Sequence, residues 1–235
     1  SGTLGTFSMT PDSRKQLRKQ LRNARRGLSR AEQKNASKRL ARRLGQSALF
    51  LRSRHIAFYL AADGEIDPAP LMSRCRRLRK QCYLPVLNRW PSTRMSFQRL
   101  LPGQRWTRNR YGIREPLLNR RLQVKPWRLG LVLMPLVGFD AQGNRLGMGG
   151  GFYDRAFAYR HRRNTWRSPA LIGLAHDCQK TRSLPTASWD IPLDGIVTDQ
   201  EQLMLRTHLK CWAEYPKSNL MDSETLQAGV SVYLI

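Results

Sequence analysis

Leu17, Leu21, Ala24 and Leu28 recur three to four positions apart, with basic residues on the other faces. That is the stripe of an amphipathic helix. Thr10-Pro11 ahead of it reads as an N-cap followed by a first-turn proline. Ser29-Arg30-Ala31-Glu32 has the capping-box pattern and predicts a second helix through Ala36, Leu40 and Leu44, ending near Gly45. The chain therefore opens with a basic helical pair.

The period then shortens. His55–Leu60 is a short apolar run rich in β formers and predicts a strand. Asp67-Pro68 opens a helix carrying Leu71, Met72, Cys75 and Leu78, and Cys82–Leu87 is the next strand. Strand, helix and strand at this spacing make a βαβ unit with parallel pairing. Met95–Leu100 adds a strand, followed by a polar stretch with Trp106, Tyr111 and Pro116. Leu131–Met134 has the most buried character, and its apolar run continues to Phe139. After a turn at Asp140–Asn144 and a glycine cluster, a helix is expected from Tyr153 to about Arg163. Ala170–Leu174 and Ile196–Val197 complete the strands. Thr198-Asp199-Gln200-Glu201 repeats the capping-box pattern of a helix start, and Leu203, Leu205, Leu209 and Trp212 after it can pack on a core, though the segment reads ambiguously. The expectation is an α/β fold: one domain over residues 10–200, a central mainly parallel sheet flanked by helices, and a C-terminal extension, 201–235, without an assigned role.

Composition narrows the class. The chain has 235 residues, 40% of them hydrophobic. A chain of this length buries about 70% of its surface on folding and needs no metal or disulfide staple. No apolar run reaches the ~18 residues of a membrane span. Residues 1–9 lack the basic-then-apolar order of a signal peptide, so a cytoplasmic protein is expected. Cys75, Cys82, Cys178 and Cys211 form no C-x-x-C pair and no zinc spacing with His55, His161, His176 or His208, which fits reduced thiols. The net charge is +26, and residues 1–62 hold 15 Lys/Arg against only Asp12 and Glu32. Such an excess favours anionic partners, from nucleic acid to phosphorylated or polycarboxylate metabolites, without choosing among them.

Gly147-Met148-Gly149-Gly150-Gly151 lies between a buried strand and a helix. There backbone N–H groups can cradle a phosphate. Arg145 stands just before the loop to add charge, and Asp154 follows in the first helical turn, where it could hold Mg²⁺ bridging phosphates. Neither Walker A, which needs a Gly-Lys-Ser/Thr end, nor the dinucleotide fingerprint, which needs Gly where Phe152 stands, is present. By the glycines alone, a tight structural turn explains the loop as well.

The flanking residues extend the pattern. Met134-Pro135, Gly138-Phe139-Asp140, Gly143-Asn144-Arg145-Leu146-Gly147 and Gly149-Gly150-Gly151-Phe152-Tyr153-Asp154-Arg155 form one long signature. It closely resembles the 5-formyltetrahydrofolate cyclo-ligase (methenyltetrahydrofolate synthetase) family. Lys15-Gln16-Leu17-Arg18, Leu60 with Glu65-Ile66, Tyr111-Gly112-Ile113 with Glu115-Pro116, and Pro185, Asp190 and Asp194 agree in order, over roughly residues 12–200.

The resemblance implies an ATP- and Mg²⁺-dependent enzyme that converts 5-formyltetrahydrofolate to 5,10-methenyltetrahydrofolate and releases ADP and phosphate. It assigns ATP to Arg14, Lys15, Gln16, Leu17 and Arg18 and to Arg145, Leu146, Gly147, Met148, Gly149, Gly150, Gly151, Phe152 and Tyr153. Folate would face Leu60, Glu65, Tyr111 and the loop from Met148 to Phe152. Asp154 and Asp190 would serve Mg²⁺, and Arg145, Tyr153 and Asp154 would act in catalysis. Three positions depart from the common pattern: Arg14 stands for a frequent Lys, Gly150 for a Lys in some members, and Phe152 for a more usual Tyr. No protein partner is implied.

The alternatives at single residues are structural. Glu65 and Asp154 could be helix N-terminal charges, Asp190 a turn cap before Pro192, and Tyr111 a core aromatic. At the level of the whole chain the alternative is a basic nucleic-acid-binding protein without catalytic activity, although no RNP-type, zinc-finger or KH-type motif is visible. Non-specific RNA binding is expected from charge alone. The same charge leads to the expectation that polyglutamylated folates are favoured over the monoglutamate.

Overall fold

The structure is a computed structural model that describes residues 11–88, 90–162, 169–184 and 186–205. The basic pair forms α1 (Pro11–Gly27) and α2 (Arg30–Gly45). The capping box closes as the sequence predicts: Glu32 N donates to Ser29 Oγ at 3.2 Å, and Ser29 N to Glu32 Oε2 at 2.7 Å. Thr10, read as the cap of α1, lies outside the described residues. There follow α3 (Ala48–Arg52), β1 (His55–Ala57), α4 (Ala69–Arg77), β2 (Gln81–Leu87), β3 (Met95–Arg99), β4 (Trp106–Arg108), β5 (Arg114–Pro116) and β6 (Gln123–Val124). The second half holds β7 (Leu131–Pro135), β8 (Gly138–Asp140), β9 (Arg145–Leu146), α5 (Phe152–Phe157), α6 (Tyr159–Arg162), β10 (Ala170–Leu174), β11 (Lys180–Thr181), β12 (Gly195–Val197) and β13 (Gln202–Met204).

Eight strands form the main sheet in the order β13-β12-β10-β7-β1-β2-β3-β6. The centre, from β12 to β2, is parallel, and the strands outside it pair antiparallel. Central parallel strands are covered on both faces and so read as unbroken apolar runs. Leu131 and Leu133 point into a core with Leu40, Phe50 and Leu71 from α2, α3 and α4. Val132 and Met134 point the other way, into a core with Phe97 and Phe157.

Four elements differ from expectation. The strand expected over His55–Leu60 ends at Ala57, because the chain leaves the sheet after the Phe58 N–Tyr83 O bond and turns at residues 62–65. The run from Leu131 to Phe139 is two strands, with β8 pairing β9 and β11 in a separate small sheet. The helix expected over Tyr153–Arg163 starts at Phe152 and breaks at Ala158 into α5 and α6. The break lets both Phe157 and Tyr159 enter one core, their rings 6.2 Å apart, which residues two apart on a straight helix do not do. Arg163 lies outside the described residues.

The fourth is the segment after Thr198, a strand instead of a helix. Thr198 Oγ1 accepts from both Gln200 N (3.0 Å) and Glu201 N (2.9 Å), and Thr198 N donates to Glu201 O. The same hydroxyl that can cap a helix here closes a reverse turn. The chain then pairs back on β12, so the sheet runs past residue 200. Leu209 and Trp212 lie outside the described residues.

Candidate functional site

The glycine loop leaves β9 and enters α5 over residues 147–151. Gly149 (φ 94°) and Gly151 (φ 61°) occupy left-handed backbone that other residues adopt only with strain. At Gly150 the constraint is contact: a Cβ there would meet the Phe152 ring at 2.9 Å. Since α5 has only six residues, the helix-terminus field the sequence suggested is small, and positive charge at this loop comes from side chains. From α1, Arg18 Nε donates to Gly147 O at 2.9 Å, bridging 129 residues of sequence. Burial and the nearby Arg14 lower the Arg18 pKa, and Asp190 opposes them.

Arg145 forms an ion pair with Asp154 Oδ1, the guanidinium 9% and the carboxylate 19% exposed. Arg145 Nε reaches Ile191 O at 3.3 Å, and Ile191 N donates to the same Asp154 oxygen at 3.1 Å. That bond brings Asp190, one residue earlier, beside Asp154. Asp190 accepts from Ala187 N at 2.8 Å, which fits the turn-capping alternative, and lies 4.0 Å from Arg14 Nη2. A cavity of about 320 Å³ opens next to this cluster, with Asn144, Arg145, Asp190, Ile191 and Leu205 in its wall.

Among the described residues, no three His, Cys, Asp or Glu side chains gather into a metal cage. Mg²⁺ is commonly held by one or two carboxylates with phosphate oxygens and water. Asp154, in the first turn after the glycine loop, is a carboxylate of the kind such a metal uses, and in this structure its Oδ1 is taken by Arg145 and Ile191 N.

Tyr111 is not a core aromatic; it is 56% exposed. Asn109 Oδ1 accepts from Tyr111 N and Ile113 N and so shapes the turn that presents it. The Tyr111 ring meets Phe152 edge-on, 6.1 Å between centroids. Arg110 lies over both rings, at 5.0 and 5.6 Å, and Arg155 over Phe152 at 5.3 Å. Arg155 closes the glycine-loop signature but carries no site role from the sequence, and nothing distinguishes Arg110 in so basic a chain.

Glu65 lies near Tyr153, in the first turn after the loop. Burial pushes its carboxyl up to about 7, with Arg25 opposing. Tyr153 is raised by burial first, then by Glu65, while Arg145 opposes. Tyr59, held by a 2.6 Å bond to Ile66 O, is likewise raised by burial and then Glu65. Glu65, Tyr153 and Arg145 therefore share one electrostatic neighbourhood. The alternative of Glu65 as a helix-start charge does not fit, since α4 begins only at Ala69.

The remaining sequence candidates divide. Lys15 and Gln16 are exposed on α1. Leu17 packs against a cluster of Leu21, Val137, Leu146 and Leu184, which turns its side chain, and that of Leu146, away from the loop surface. Leu60 packs at the border of the core around Leu133. Met148 is 54% exposed at the loop tip.

A profile of the 5-formyltetrahydrofolate cyclo-ligase family matches residues 10–199. The 5-formyltetrahydrofolate cyclo-ligase of Haemophilus influenzae is 40% identical over 148 residues, 62% of this chain and 76% of that protein. The Escherichia coli K12 enzyme of the same name is 41% identical over 145 residues, 61% of this chain and 76% of that protein. The solved 5,10-methenyltetrahydrofolate synthetase of Aquifex aeolicus superposes with a TM-score of 0.70 at 29% identity, covering 82% of this chain and 93% of the other. With the family match spanning α1, the glycine loop and every strand of the main sheet but β13, the chain belongs to the 5-formyltetrahydrofolate cyclo-ligase family and is an enzyme of that class.

Proposed function

We propose that the chain catalyses ATP-dependent cyclisation of 5-formyltetrahydrofolate to 5,10-methenyltetrahydrofolate. The observation that carries the reading is the seam between α1 and the glycine loop: Arg18 bonds Gly147 O, and Arg145 and Asp154 pair directly behind the loop. A formamide oxygen is a poor leaving group. In the proposed sequence it attacks the γ-phosphorus of ATP and ADP leaves. Nitrogen-10 then closes on the formyl carbon and loses its proton, and the C–O bond breaks to release phosphate. No enzyme nucleophile is needed; positioning and charge neutralisation carry phosphoryl transfer.

In this reading Arg14, Arg18 and Arg145 meet the phosphates, with the cavity beside Arg145 and Asp190 receiving the nucleoside. Asp154, supported by Asp190, would hold Mg²⁺, which when bound neutralises phosphate charge. Arg145 leaves Asp154 for the phosphate as ATP enters. Folate lies over the loop between Tyr111 and Glu65, and the exposed Arg110 and Arg155 extend the site toward the carboxylates of a glutamate tail, mono- or polyglutamylated. Among the described residues no helix is long and apolar enough to cross a membrane.

The test is near-ultraviolet absorbance of the methenyl product from 5-formyltetrahydrofolate, with ATP and Mg²⁺ and with each omitted. Product that forms only with all three supports the reading, and none with all three overturns it. The nucleic-acid alternative draws on the same basic helices, yet Arg14, Arg18, Arg22, Arg25 and Arg26 have partners within the fold.

A further inference from the structure

Among the described residues Arg25 is the largest fully buried polar side chain, 0% exposed, and it lies in the last turn of a helix whose composition is that of a solvated basic surface. An arginine remains protonated in any protein environment, so this is a permanent buried charge. Its donors are divided between the Asp63 turn and the chain just after β7. Nε donates to Asp63 O at 2.9 Å, Nη2 to Asp63 Oδ2 at 2.9 Å, and Nη1 to Leu136 O at 3.2 Å. Nη2 also stands 3.7 Å from Glu65 Oε1.

The partner is a turn of defined geometry. Asp63 (φ 54°) and Gly64 (φ 75°) are both left-handed, and Glu65 N donates to Ala62 O at 3.0 Å. Two positive φ values at the central positions make a type I′ turn, for which Asp-Gly is a preferred pair. The turn lies flat on α1: a Cβ at Gly64 would come within 3.4 Å of Arg25 O and Arg26 Cα. Arg22 and Arg26 close on Asp63 from either side of Arg25. Glu65 is the residue that leaves this turn, its Oε2 accepting from Ala62 N at 3.1 Å.

We propose that Arg25 is a positioning residue, clamping the Ala62–Glu65 turn to α1 so that the Glu65 carboxyl is fixed toward the folate. This rests on the reading above that Glu65 faces folate. A surface turn held by solvent-exposed ion pairs alone would be worth little. A buried guanidinium bridging two backbone carbonyls and a carboxylate fixes geometry as well as charge. The groups facing Glu65 are Arg25 and Arg22 from α1, Asp63 from the turn, Tyr59 after β1 and Tyr153 from α5. His176 sits beyond Gly64, its pKa lowered by burial. Of the cations, Arg25 is the one whose field on Glu65 is strongest, so its loss moves the Glu65 titration upward.

The experiment has two readouts. The first is a carboxyl-carbon NMR titration of Glu65, assigned by Glu65→Gln, in the wild type, Arg25→Gln and Arg26→Gln. The expected midpoint is about 7 in the wild type, higher in Arg25→Gln, and unchanged in Arg26→Gln, which removes a charge from the same turn without approaching Glu65. The second is binding of 5-formyltetrahydrofolate and, separately, of ATP to Arg25→Lys, which keeps the charge and loses the fork. Folate affinity should fall roughly tenfold, the scale of one charged contact, while ATP affinity stays within about twofold. Arg25→Lys also keeps the proposal testable if Arg25→Gln does not fold. An unmoved Glu65 midpoint in Arg25→Gln, an equal shift in Arg26→Gln, or a parallel loss of folate and ATP affinity in Arg25→Lys overturns the proposal. A wild type that binds no folate while Arg25→Gln still shifts Glu65 overturns the folate reading and leaves the clamp standing.

Discussion

Replacing Arg145 by Ala removes two interactions at once, and they are read by different measurements. In the free protein the guanidinium holds Asp154 and touches Ile191 O, with the pair 9% and 19% exposed. A hydrogen bond to a charged group is worth ~1.5–3 kcal/mol, and partial exposure places this one near the middle, about 2 kcal/mol. For a chain of this length each kcal/mol moves the melting temperature by ~2–4 °C, so Arg145→Ala should melt about 4–8 °C lower. With ATP bound the same side chain meets phosphate in the proposed function. Losing that contact costs the same ~1.5–3 kcal/mol, or about 10- to 150-fold in affinity. The assay is ATP titration at saturating folate, with a melting curve beside it. Arg43→Ala, on the exposed face of α2 and outside the site, is the reference. If both variants stay folded and titrate alike, Arg145 is only the structural partner of Asp154 and its assignment to phosphate is refuted. A loss of melting temperature alone would say the same.

Asp154→Asn keeps a side-chain oxygen for Ile191 N and loses the charge, so turnover should fall at least tenfold while the fold persists; an unchanged rate at limiting Mg²⁺ contradicts a metal role. Burial raises Glu65 from 4.5 to about 7, so the folded state holds a proton that the unfolded state releases earlier. The stability linked to that proton is complete below about pH 4.5 and is lost as pH rises through about 7. The stability of Glu65→Gln relative to wild type should therefore increase across this window and then level off, as read from urea midpoints at a series of pH values; a flat difference refutes the raised carboxyl. Gly173→Ala would place a Cβ 2.6 Å from Leu136 Cδ1 and 2.8 Å from Leu193 Cδ1, so overpacking should cost about 1–3 kcal/mol, seen as a lower urea midpoint; no change would mean the two leucines yield freely.

The parts of this molecule that the sequence made legible are those where one physical signal stands alone. The capping box at Ser29 and the apolar runs of β7 and β10 each have a single good solution, and the structure adopts it. The glycine loop was legible because left-handed backbone and crowding at Gly149–Gly151 leave few alternatives to glycine. Thr198 was misread because its hydroxyl satisfies a turn as well as a helix start, and only the antiparallel pairing of β13 with β12 decides between them. The cluster of Arg110 and Arg155 on Tyr111 and Phe152 joins segments about 40 residues apart, and no local pattern announces it.

The basic N-terminal helix shows why charge counting stops short of function. As composition, 15 Lys/Arg in residues 1–62 point outward, to an anionic partner in solution. In the fold, three arginines of α1 converge on one acidic turn. Burial alone would raise the Asp63 carboxyl, but hydrogen bonds from Arg22, Arg26 and Arg25 outweigh it and hold the group down at about 2. One step along the same helix toward its start, Arg18 and Arg14 face Gly147 O and Asp190. One face of α1 therefore reaches both the glycine loop and the turn that carries Glu65, with Leu17 and Leu21 packed between them against Val137 and Leu146. A rigid helix of 17 residues joins the two places where, in the proposed function, phosphate and formyl group must meet. Five of those fifteen basic residues, Arg14, Arg18, Arg22, Arg25 and Arg26, are turned to partners within the chain at those two places.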